Sequence, residues 1–150
     1  MSIAVLVTTH NSSAVILETL QSLSTQDRKP DEVLIIDDKS TDHTLDLVEK
    51  WAMSQPFAVQ IMDNQFSHDG YPCGGPAGSR TTGLLRTQAD LIGVLDHDDL
   101  MLPSHLRLTE QALLRNPDME LCFGDTTVFF DDVSLPEKSF FQGKSIEGLR

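Results

Sequence analysis

Three carboxylates fall within four residues at Asp96-His97-Asp98-Asp99, directly after the apolar run Leu91-Ile92-Gly93-Val94-Leu95. Asp96 and Asp98 are two residues apart, so an extended chain turns both to one side. Carboxylates held that close repel each other unless water or a cation lies between them. Hard oxygen donors at an open strand end suit Mg²⁺ or Mn²⁺. The competing reading is a solvated acidic turn that serves the next helix. Two other apolar runs also end in polar clusters. Thr8-Thr9-His10-Asn11 follows Ile3 to Val7, and Asp37-Asp38 follows Val33 to Ile36.

The elements that must position these groups follow from periodicity. Ile3 to Val7, Val33 to Ile36, Phe57 to Met62 and Ile92 to Leu95 read as strands, the last able to sit buried on both faces of a sheet. Ile16, Leu20 and Leu23 form a helical stripe capped by Asn11, Ser12 or Ser13. Leu45, Val48 and Ala52 form a second stripe, capped by Ser40 or Thr41. Pro76-Ala77-Gly78 opens a third helix reaching about Gln88, and Pro103 starts a fourth carrying Leu106 and Leu113. Asp63 to Gly75 is the longest loop, and loops of that length inside a domain are usually functional. Glu120 to Phe130 reads as a strand or bent pair, and beyond Asp131 the pattern fades. Strand and helix alternate four times, which predicts an α/β fold: a doubly wound, mostly parallel sheet with helices on both faces. Ligands of such sheets bind outside the carboxyl ends of the strands, where strand order reverses. All three polar clusters lie at strand carboxyl ends and so face one rim. An acidic rim takes up an anion through a bridging divalent cation.

Composition bounds the answer. The chain has 150 residues, one domain's worth, and is 39% hydrophobic. No apolar run approaches the ~18 residues of a membrane span. Net charge is −12, from 11 Lys+Arg against 23 Asp+Glu, which argues against nucleic acid or an anionic membrane as partner. Met1-Ser2-Ile3 enters a strand without a basic region, so no signal peptide is expected and the cytoplasm is the expected compartment. Cys122, in an apolar run, is expected to be buried, and Cys73 lies in the Gly/Pro loop. Two isolated thiols fit a reducing compartment.

Motifs remove several nucleotide-handling classes. No G-x-G-x-x-G follows the first strand and no G-x-x-x-x-G-K-[ST] occurs, against dinucleotide-binding and P-loop domains. The D-x-D follows the fourth strand rather than the first, against an aspartyl phosphatase. A phospho-receiver would need a lysine on a late strand, which is not found.

Four segments, in order, carry a resemblance: Val5-Leu6-Val7-Thr8-Thr9-His10-Asn11, Val33-Leu34-Ile35-Ile36-Asp37-Asp38-Lys39-Ser40-Thr41-Asp42, Gly75-Pro76-Ala77-Gly78-Ser79-Arg80-Thr81-Thr82-Gly83 and Val94-Leu95-Asp96-His97-Asp98-Asp99-Leu100-Met101-Leu102-Pro103. Together they resemble a family 2 glycosyltransferase with the GT-A fold. The resemblance covers residues 1–130, the part that binds the nucleotide-diphospho-sugar donor, with 131–150 an unsettled tail at the start of an acceptor-binding half. It implies that Asp98 coordinates Mn²⁺ or Mg²⁺ against the donor diphosphate. It implies that Asp96 accepts from ribose or helps place the metal, and that Asp38 accepts the N3–H of uracil. It places Thr8 at base and ribose and Arg80 near the donor. His10 stands where the family usually has a stacking tyrosine, and Thr81 where it usually has asparagine. The reaction implied is transfer of sugar to an acceptor hydroxyl with inversion. The base would be an acid of the acceptor half, and no acid after Asp99 matches it. The sequence ends 51 residues after Asp99 (150 minus 99), so a truncated enzyme that binds nucleotide with little transfer of its own is expected.

Structural roles compete at neighbouring positions. Asp37 is as well suited to receive loop amides as to touch ligand, and Asp99 to serve the next helix. His97 is expected to point away from Asp96 and Asp98 into packing or solvent, and His43 and His105 to be ordinary helix-surface residues. A non-catalytic module that kept the donor fold is the alternative reading. A sugar nucleotidyltransferase is disfavoured, because its Gly-rich, basic loop is missing from Thr8 to Ser13.

Overall fold

In the computed structural model, residues 1–66, 74–124, 126–128 and 138–139 are described. They form two units, Met1–Glu110 and Gln111–Arg150. The first is built on strands β1 (Ile3–Thr9) and β2 (Glu32–Asp37), which are buried along almost their whole length. Their near-continuous apolar sequences have no polar face to give to water, so they take the centre of the sheet. Strands β3 (Ala58–Asp63) and β4 (Leu91–Asp96) flank them, giving the order β3-β2-β1-β4 with every pair parallel. The chain steps outward from β1 to β2 to β3 and then returns to the other side of β1. The reversal therefore lies between β1 and β4.

Helices cover both faces, as the alternating pattern predicts. On one side Val5, Val7, Val33 and Ile35 pack with Ile16, Leu20 and Leu23 of α1 (Ile16–Ser24) and with Val48 and Trp51 of α2 (Thr44–Ala52). Met101 and Leu106 close the same cluster. On the other side Leu6 and Ile36 meet α3 (Gly75–Leu84) at Gly83. A Cβ at Gly83 would lie 2.9 Å from Leu6 Cδ2 and 3.0 Å from Ile36 Cδ1. Both neighbours are fully buried, so a larger side chain must push the helix off the sheet. Gly83→Val is expected to cost about 2–3 kcal/mol in urea unfolding. A loss near zero would mean that α3 sits loosely on β1 and β2.

Several elements differ from expectation. Ile92 is 38% and Val94 47% exposed, so β4 is not buried on both faces. Among the described residues it is an edge strand, and only its Leu95 side joins the core. The third helix stops at Leu84 rather than near Gln88. Arg86 and Thr87 both donate N–H to Gly83 O, and Thr87 Oγ1 then bonds Glu32 Oε1 at the start of β2, which draws the chain out of the helix. Helix α4 spans His105–Arg115 and opens two residues after Pro103, because the Met101 and Leu102 carbonyls are held by Gln26, just past the end of α1. Neither α1 nor α2 has a capping side chain where serine or threonine was expected. Ser12 serves α1 through its carbonyl, and Asp42 Oδ1 accepts from Thr44 N at the start of α2. In α2 the buried stripe is Thr44, Val48 and Trp51, shifted from the expected face. His105 is half-buried rather than on the surface, and desolvation lowers its pKa.

In the second unit, Glu120 to Gly124 is not strand. The only described pairing there is between β5 (Thr127–Val128) and β6 (Lys138–Ser139), antiparallel. Cys122 is half-buried with a free thiol, not a core residue. Cys73, Asp125, Asp131, Asp132, Phe140 and Phe141 lie outside the described residues, as does most of the Asp63 to Gly75 loop. Among the described residues, no helix is long and apolar enough to cross a membrane.

Candidate functional site

Sheet register brings the polar strand ends level. Thr9 pairs with Asp37, Asp37 with Asp63, and Thr8 with Asp96. One rim therefore carries the last residues of all four strands, and Thr8 and Asp96 sit at the point where strand order reverses. Thr8 Oγ1 donates to Asp96 Oδ1 at 3.0 Å. Arg80, on α3, places Nη2 2.7 Å and 2.8 Å from the two Asp96 oxygens. Three residues named from sequence are thus one cluster. The Asp96 carboxylate is already neutralised by a guanidinium, and Arg80 Nε is buried with no partner among the described residues.

Beyond Asp96 the chain turns. Asp99 N–H donates to Asp96 O at 3.1 Å, so the strand alternation that would align Asp96 with Asp98 stops at Asp96. Asp98 is exposed on this turn. The Asp99 carboxyl is raised above the ordinary carboxylate value, chiefly by desolvation and then by the charges of Asp98 and Asp96. Among the described residues, no three His, Cys, Asp or Glu side chains converge as a metal cage. His97, expected to pack or to face solvent, packs. Its Nδ1 lies 3.2 Å from Thr8 O, and its carbonyl accepts from Thr19 Oγ1 at 2.7 Å.

Asp38 is 3% exposed. Its Oδ1 accepts from Asn64 Nδ2 at 2.9 Å and Gly74 N at 3.2 Å, and its Oδ2 from Gly75 N at 2.8 Å. It therefore anchors the start of α3, where Gly75 has φ +63°, a left-handed conformation that favours glycine. Asn64 is held in turn by Phe66 N and Thr82 Oγ1. Asp37 takes the loop-amide role: its oxygens accept from Ser40 N at 2.9 Å and Ser40 Oγ at 2.5 Å.

The loops after β1 and β2 are stitched together. Asn11 N donates to Ser40 Oγ, Thr41 N to Asn11 Oδ1, Ser12 N to Thr44 Oγ1 and Ser13 N to Asp42 Oδ2, all between 2.7 and 3.0 Å. Hydrogen bonds from Thr44, and then from Ser13, hold the Asp42 carboxyl far below the usual range. His10 Nδ1 is 2.7 Å from Asp38 O. Between these loops and α3 opens a cleft of about 250 Å³, lined by Thr8, Thr9, His10, Asp38, Gly75 and Pro76, with Ser79 and His97. A larger depression of about 580 Å³ lies beside α1, lined among others by Leu17, Trp51 and Leu100.

Thr8, His10 and Asp38 thus line one cleft, Arg80 and Asp96 pair beside Thr8, and Asp98 stands on the adjoining turn. Sequence reasoning missed Asn64, Ser79 and the placement of His97. Asn64 follows a strand end, as the other polar clusters do, which is the one signal that could have found it.

A doubly wound domain with its polar groups gathered at the strand carboxyl ends belongs to the class that binds ligands at the switch point. The glycosyl transferase family 2 model matches residues 4–128, and the chain belongs to that family, with the GT-A fold. The chain is similar to the poly(ribitol-phosphate) beta-N-acetylglucosaminyltransferase TarS of Staphylococcus aureus, 34% identical over 101 residues, covering 66% of this chain and 16% of TarS. The solved structure of TarS 1–349 in complex with UDP matches with a TM-score of 0.61 and 29% identity, over 78% of this chain and 33% of that one. A Pyrobaculum calidifontis mannosyltransferase in complex with GDP-Man and Mn²⁺ matches with a TM-score of 0.58 and 28% identity, over 71% and 30%. The chain spans less than half the length of the curated relatives it matches.

Proposed function

We propose that residues 1–130 are the donor-binding part of an inverting, metal-dependent glycosyltransferase that uses a UDP-sugar. The observation that carries this reading is the meeting of the His10–Asp38–Pro76 cleft with the Arg80–Asp96 pair and the Asp98 turn on one rim. In this reading uracil enters the cleft and stacks on the His10 ring. A carboxylate has about four lone-pair positions. Three protein donors occupy those of Asp38, leaving one for the imide N3–H. Thr8 stands where the ribose would pass. Arg80 Nε, buried and without a partner among the described residues, marks a guanidinium whose charge a diphosphate would match.

Asp98, exposed on the turn after β4 with its carboxylate free of the Arg80 pair that holds Asp96, is the residue that would hold Mn²⁺ or Mg²⁺ against the diphosphate. The ion's chemistry there is to offset charge on the departing nucleoside diphosphate. In the transfer itself, an acceptor hydroxyl oxygen bonds the anomeric carbon as the bond to the diphosphate breaks. The hydroxyl proton passes to an acid of the acceptor-binding half.

Asp98→Ala is expected to weaken UDP binding in Mn²⁺ by about 30-fold, the ~2 kcal/mol of one charge-assisted contact. Binding in EDTA should be unchanged by the substitution. If calorimetry finds equal affinity in Mn²⁺ for both proteins, Asp98 does not hold the ion.

A further inference from the structure

We infer that Asn11 is a positioning residue that fixes the proton of His10 on Nδ1 and so restricts the ring to stacking. The inference rests on the donor-site reading above, because it concerns how that site presents His10 to a flat ligand.

Thr41 N–H can only donate, and it lies 2.7 Å from Asn11 Oδ1. The Thr41 hydroxyl lies on the same oxygen at 3.4 Å. The amide orientation of Asn11 is therefore fixed, with its carbonyl oxygen toward Thr41 and its NH₂ on the other side. That NH₂ is 3.1 Å from His10 Nε2. An amide NH₂ only donates, so Nε2 must offer its lone pair. The opposite ring nitrogen gives an independent answer. His10 Nδ1 lies 2.7 Å from the carbonyl oxygen of Asp38, which only accepts, so Nδ1 must carry the proton. Both neighbours select the same neutral tautomer, Nδ1–H.

Two consequences follow for the ligand. Both ring nitrogens are spent on the protein, so His10 has no in-plane polar atom left for a base. It offers its face, and recognition at this wall of the cleft is stacking, which tolerates any aromatic base. Discrimination between bases then falls to the opposite polar group, Asp38. The backbone supports the arrangement. Asn11 has φ +46°, a conformation asparagine adopts more readily than most residues, and its N–H is tied to Ser40 Oγ at 2.8 Å.

Nitrogen-15 NMR of the imidazoles in the 150-residue chain without nucleotide reads the tautomer directly, with His10 assigned by the signals lost in His10→Phe. The expected result is a pyrrole-type Nδ1 and a pyridine-type Nε2. A proton on Nε2 would overturn the inference. Asn11→Asp separates positioning from loop stability, since it keeps an acceptor for Thr41 and tolerates the same φ but removes the donor to His10. Its expected signature is loss of the pyridine-type Nε2. UDP affinities of wild type, Asn11→Asp, His10→Phe and the double variant should then show coupling of about five-fold. The carboxylate's direct effect on UDP cancels in that cycle and what is left passes through His10, so independent effects would contradict positioning through His10. If wild type fails to bind UDP, the donor-site reading falls, while the NMR result still decides the tautomer.

Discussion

Asp38→Ala should unfold about 3 kcal/mol more readily than wild type and should lose UDP binding by about 100-fold or more. The carboxylate takes three hydrogen bonds, from Asn64 Nδ2, Gly74 N and Gly75 N, and hydrogen bonds to a charged group contribute about 1.5–3 kcal/mol each. Alanine strands all three donors beside a buried strand end. Water from the adjoining cleft offsets part of the loss, which keeps the expected figure well below the sum. Binding falls further than stability, because the start of α3 forms one wall of the cleft and carries Pro76. Asp38→Asn is the informative partner. It keeps one carbonyl oxygen but sets an NH₂ against a backbone donor, and the imide N3–H loses its anionic acceptor. If the asparagine variant binds UDP as wild type does, Asp38 is scaffolding for α3 and nothing more.

The second large effect lies away from the cleft. Gln26 is fully buried at 0% exposure and straps the acidic loop to α1. Its Nε2 donates to Leu102 O at 2.8 Å and to Met101 O and Ser22 O at 3.1 Å, while its Oε1 accepts from Leu106 N at 3.1 Å. The strap is reinforced by Asp27 N to Pro103 O at 2.8 Å and by Met101 N to Ser22 Oγ at 3.1 Å. Gln26→Leu has similar volume but removes the partner of Met101 O and of Leu106 N, at about 1–3 kcal/mol each, while Leu102 O keeps the His105 N–H. The expected cost is about 3–4 kcal/mol by urea unfolding. Metal-dependent UDP affinity should also fall, although Asp98 is untouched, because the turn that carries it is no longer held. A loss under ~1 kcal/mol would show that Met101 and Leu106 hold the loop by apolar packing alone.

Much of this arrangement is legible in the sequence for a physical reason. Continuous apolar runs such as Ala4 to Val7 and Val33 to Ile36 have only one stable place, the middle of a sheet covered on both faces. A polar cluster at the end of each run then marks the rim. The edge strand was harder to read. Ile92 and Val94 have the same composition as a central strand, and only sheet order shows that one face lacks cover. Long-range polar bonds were not legible at all. Gln26 reaches residues 75 to 80 positions away, and Asn64 reaches Asp38 from 26 away. No local pattern encodes such pairings. The same holds for His97, whose direction depended on where the strand stopped. Alternation left packing and solvent both open for it, and the turn at Asp96 brings it to Thr8.

The central claim is that the rim of Thr8, His10, Asp38, Arg80, Asp96 and Asp98 is a working donor site. Calorimetric titration of UDP in Mn²⁺, repeated in EDTA and with GDP in place of UDP, tests it most directly. The account predicts binding in the micromolar range that needs the metal and favours UDP. Absence of binding by either nucleotide, or binding that EDTA leaves unchanged, would contradict it and return the acidic turn after β4 to a purely structural role.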